Sequence, residues 1–122
     1  MTIRQVRRQL LPFWQEALNL REWKIVVKFG TAKEMEDAQG IRCQGLNYIS
    51  VEELESHIFL DRKVIEQDVE STLVHELLHL VFDGHKNQTM RYDPMQERAL
   101  NRTAGALMRL AATARSVYAA AE

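Results

Sequence analysis

Apolar residues in this chain change period several times, and each change marks an element. Ile3, Val6, Leu10, Phe13, Trp14 and Ala17 recur at helical spacing between about residues 2 and 20. Pro12 lies inside that run, where its missing N–H and bulky ring predict a kink or a split into two helices. Trp23, Ile25, Val27 and Phe29 then alternate with Lys24, Val26 and Lys28, the period-two pattern of a strand. A second strand is expected within 41–51, with Gly45 as a bulge or turn, and His57-Ile58-Phe59-Leu60 reads as a short third one. From Glu66 to Phe82 there is neither Gly nor Pro. Val69, Leu73, Leu77 and Leu80 return there every three or four residues, and Val74, Leu78 and Val81 widen the apolar surface, so a nearly fully buried helix is expected. Asp93-Pro94-Met95-Gln96 then supplies an N-cap, a proline at the first helical position and a capping-type Gln, opening a long Ala-rich helix toward Ala120.

This order predicts an α+β fold: an N-terminal helix, about three strands forming one small antiparallel sheet, a buried helix and a long C-terminal helix. At 122 residues and 46% apolar, the chain suits one domain spanning 1–122, with no repeat, low-complexity tract or linker to divide it. A net charge of −1 gives no electrostatic footprint for nucleic acid. Arg4, Arg7 and Arg8 read as a solvated basic face. The single Cys43 excludes an internal disulfide, the N-terminus lacks an apolar signal core, and no run approaches bilayer length. A soluble cytoplasmic protein is expected, with neither a membrane nor a nucleic acid as partner.

The buried helix carries a narrow polar stripe: Asp68, Thr72, His75 with Glu76, His79 and Asp83. Polar groups buried without partners cost several kcal/mol (on the order of 2–7), so such a stripe must be internally paired or must bind a cation. Its centre, His75-Glu76-Leu77-Leu78-His79, is H-E-x-x-H. Positions i and i+4 share a helical face, so two imidazoles one turn apart can reach one ion. Glu76 sits just off that line, free to take a proton from water rather than to ligate. The plainer alternative is a pair of core histidines hydrogen-bonded to neighbours. Zinc is the ion expected, one per chain, although a His/His/carboxylate site also accepts other divalent ions.

In layout, and in the uncharged residues around the two histidines over Thr72–Val81, the chain resembles the zincin metallopeptidase core. It is most similar to the very small gluzincin-like domains of phage and bacterial proteins, with motif likeness at residues 72–81 and 97–108. That resemblance implies a third ligand from the last helix, where Glu97-Arg98-Ala99-Leu100-Asn101 with Ala104 and Leu107 is similar to the segment that supplies the gluzincin glutamate. Glu97 would then ligate, and Asn101, where gluzincins often carry Asp, would support the first histidine from the second shell. His85 is the alternative third ligand, because His75, His79 and His85 have metzincin spacing. Phe82, however, stands where metzincins place glycine, and Gly84 comes two residues late. A small bacterial endoribonuclease family has a similar three-histidine arrangement, with Gly in place of Glu76.

A site of this kind would hydrolyse a peptide or amide bond with Glu76 as general base and a peptide or protein as substrate. Tyr92, Arg91 and His85 are the nearby candidates to stabilise the developing oxyanion. His57 reads as an ordinary strand-face histidine, Tyr48, Trp14 and Trp23 as core or sheet-face aromatics, and Met90, Met95 and Met108 as core. Two other classes stay open: a metal-dependent hydrolase of another substrate such as RNA, and a non-catalytic domain in which zinc only holds helices together.

Overall fold

The computed structural model describes residues 1–66, 68–84 and 93–121. The backbone forms two compact units, Met1–Met90 and Arg91–Glu122. The first contains α1 (Ile3–Gln5), a π-helical turn (Val6–Leu10), α2 (Leu11–Ala17), β1 (Lys24–Gly30), β2 (Gly45–Ser50), β3 (Glu55–Asp61), a 3-10 turn (Arg62–Glu66) and α3 (Val69–Asp83). The second contains α4 (Pro94–Ala121). The mixed α+β class expected from the hydrophobic pattern is the one observed.

Pro12 is absorbed by rewinding the helix. The turn just before it is π-helical, and the Leu11 N–H reaches back to the Val6 carbonyl, which loosens the coil where the proline ring would meet the carbonyl four residues earlier. The helix ends at Leu18 in a Schellman motif. Asn19 adopts a left-handed φ of 56°, while its N–H and that of Leu20 return to the carbonyls of Glu16 and Gln15. Arg7 is exposed, as a solvated face requires, and also donates from Nε to the carbonyl of Val27, 2.8 Å away, which ties this helix to β1.

The sheet corrects one expectation: it is mixed, not antiparallel. Its order is β1-β3-β2, with β3 antiparallel to β2 and parallel to β1. β2 and β3 form a hairpin, and the segment 31–44 carries the chain past the central position, so β3 enters between the two earlier strands. Alternation reports which side chains share a face and is silent on which strands are neighbours.

One face of the sheet receives α3. Ile58 and Leu60 on β3, with Leu73, Val74 and Leu77 on α3, are fully buried. The indole of Trp14 donates to Glu70 Oε2 over 2.9 Å, which fixes α2 to the first turn of α3. Burying the larger of these side chains is worth roughly 2 kcal/mol each, and this packing is what holds α3 in place. The second unit is the single helix α4. Asp93 Oδ1 accepts the N–H groups of Met95 and Gln96 at its start, the N-cap its sequence predicted. Leu100, Ala104 and Ala111 mark its buried stripe, while Met95 is 78% exposed and so is not the core residue expected. It lies half a turn round the helix from Ala104.

Candidate metal centre

α3 carries the motif within a 15-residue helix whose apolar positions surround it. The rings of His75 and His79 stand one above the other with centroids 5.0 Å apart and planes at 71°. His79 and Glu76 are buried and His75 is half-buried. Among the described residues every buried side-chain nitrogen and oxygen has a partner. Donor type and orientation, not an orphaned polar group, therefore distinguish this stripe.

His79 has a specific partner. Its Nδ1 lies 3.2 Å from Asp83 Oδ2, one turn further along α3, and both residues are buried. An imidazole that gives Nδ1–H to a carboxylate keeps its lone pair on Nε2, fixed in direction. Such carboxylate–histidine pairs are how metal-ligating histidines are oriented. Sequence reading placed Asp83 on the polar stripe without giving it this role, although the i, i+4 step from His79 was there to be read.

Glu76 is held from the sheet side. Asn47 Nδ2 on β2 donates to the Glu76 carbonyl over 2.9 Å, and Asn47 Oδ1 accepts the hydroxyl of Ser56 from β3 over 2.6 Å. Neither residue carries a local sequence signal, because strand pairing alone brings them together.

Of the remaining candidates, Glu97 lies in the first turn of α4 and is half-buried, on the same helical face as Ala104 and Ala111. Asn101, one turn on, is exposed. His85, Met90, Arg91 and Tyr92 lie outside the described residues. His57 points to the sheet face opposite α3, since its neighbours Ser56 and Ile58 occupy the α3 side. There it pairs across the strands with Tyr48, sits 3.4 Å from Glu55 Oε2, and shares a shallow concavity with Glu34, Tyr48 and Phe59. It is a strand-face histidine, as expected, and not part of the α3 stripe.

No protein-family model matches the chain, and none of the curated proteins does. No helix among the described residues is long and apolar enough to cross a membrane.

Proposed function

We propose that this chain is a zinc-dependent peptidase in which His75, His79 and Glu97 hold the ion and Glu76 is the general base. The observation that carries the reading is the orientation of His79 by Asp83 beside a second imidazole one turn away, with a buried glutamate between them. His75, His79 and Glu97 each offer one ligand atom. Two imidazoles and a carboxylate are the donor set of a catalytic zinc with one open position, whereas structural zinc sites are closed by four ligands.

Zinc bound there supplies Lewis acidity toward a carbonyl oxygen and makes water available as a nucleophile near neutral pH. Glu76 would accept a proton from the attacking water and pass it to the departing amine. Asp83 keeps His79 in the ligating tautomer, and Asn101, one turn after Glu97, is the residue proposed to support His75. The substrate class is peptide or protein, and the small domain favours one extended segment over broad recognition. We place the protein in the cytoplasm, in keeping with its lone Cys43.

The test is Glu76→Gln, assayed for zinc by elemental analysis and for cleavage of labelled casein. A general base predicts unchanged zinc content and turnover lowered by about 100-fold or more. Loss of zinc together with activity would contradict that role for Glu76, and unchanged cleavage would contradict the mechanism.

A further inference from the structure

Two residues of β2 converge on Glu76 from the same strand face, one on its main chain and one on its side chain. Asn47 grips the carbonyl. With Oδ1 already accepting from Ser56, Nδ2 is the end of the amide left to donate, so Ser56 sets which way the amide faces. Two residues back, Gly45 lies against the carboxylate arm. A β-carbon at Gly45 would stand 2.8 Å from Glu76 Oε2, 3.0 Å from Glu76 Cγ and 2.9 Å from Thr72 Cγ2. Carbon atoms in contact sit roughly 3.5–4.0 Å apart, so something must yield. Thr72 is β-branched and stiff at χ1, whereas the glutamate arm turns about three bonds. The carboxylate arm is the group free to turn, but turning it leaves the contact with Thr72, so β2 must also ease away from α3; at 6% exposure Glu76 has little water to move into.

Resting on the reading of Glu76 as proton acceptor, we propose that Gly45 and Asn47 are its positioning residues. Gly45 leaves empty the space that the carboxylate occupies, and Asn47 pins the backbone from which it extends. Glycine at the head of β2 then has a reason beyond turn chemistry: it is the close approach of strand to helix that excludes a side chain.

Three zinc-supplemented proteins test this: wild type, Gly45→Ala and Asn47→Asp, the last near-isosteric but without the donor. Each is measured for zinc content, melting temperature, crystal structure and casein cleavage. In Gly45→Ala the expected result is zinc retained, α3 intact with β2 eased slightly away from Thr72, the Glu76 carboxylate displaced by about 1 Å and kcat lowered by roughly 100-fold, the loss such a misplacement brings. Asn47→Asp is expected to keep its zinc and lose turnover in the same direction. A Gly45→Ala crystal structure with the carboxylate in its original place, or full turnover in that variant, would overturn the proposal. So would a parallel loss of folding and activity in both variants, which a purely structural role predicts. Failure of the underlying reading shows elsewhere: wild type itself would bind no zinc or cleave nothing.

Discussion

Asp83 is the residue on which the state of His79 depends. Replacing it by Ala removes the acceptor that fixes the ring, and losing the hydrogen-bond partner of a ligating histidine weakens metal affinity by about 10–100-fold. A competition titration with a zinc chelator should show that weakening in Asp83→Ala, with the helical circular dichroism unchanged; undiminished affinity would remove Asp83 from the account. Asp61, at the end of β3, supplies a prediction of another kind. Hydrogen bonds from Arg42 and from the Lys63 N–H hold its carboxyl below the ordinary Asp value. A lowered folded-state pKa contributes stability above the ordinary value, and that contribution disappears as pH falls through the folded-state value. Arg42→Gln should therefore destabilise the protein near neutral pH by no more than about 1 kcal/mol, since Arg42 is 47% exposed. The difference in melting temperature from wild type should close on acidification from about pH 5 downward. At this scale the sequence displayed His75, Glu76 and His79 outright through their spacing. Asn47, Ser56 and Gly45 were hidden, because their meaning arises only when β2 reaches α3.

The elements follow from local chemistry wherever that chemistry is strong. The buried apolar run produced α3, and Asp93-Pro94 opened α4. The turn at Asn19 offers a direct check, since its φ of 56° is tolerated by Asn and Gly and disfavoured for other side chains. Asn19→Ala is expected to cost about 1 kcal/mol in urea unfolding, and Asn19→Gly to be neutral or slightly stabilising. Equal losses in both variants would mean that the Asn side chain, not the backbone, secures the helix end. What local chemistry could not convey is strand order. An antiparallel meander, as expected, and the observed β1-β3-β2 sheet place the same residues on the same faces. The π-turn was equally hidden: proline announces a disturbance and not the way the helix relieves it.

For the whole molecule, the proposal is that His75, His79 and Glu97 hold one zinc. Zinc is then a stabilising ligand as well as a catalytic one. Free ion at about 100 times its dissociation constant should add roughly 2.7 kcal/mol of stability, read as a rise in melting temperature that a chelator reverses. The central claim is one zinc per chain held by those three residues, and the most direct measurement is elemental analysis of the purified protein beside Glu97→Ala and His85→Ala. The account predicts one zinc in wild type, zinc kept in His85→Ala and lost in Glu97→Ala. Zinc lost only with His85 would move the site to a three-histidine set, and no zinc in wild type after supplementation would leave His75 and His79 as core residues and contradict the account.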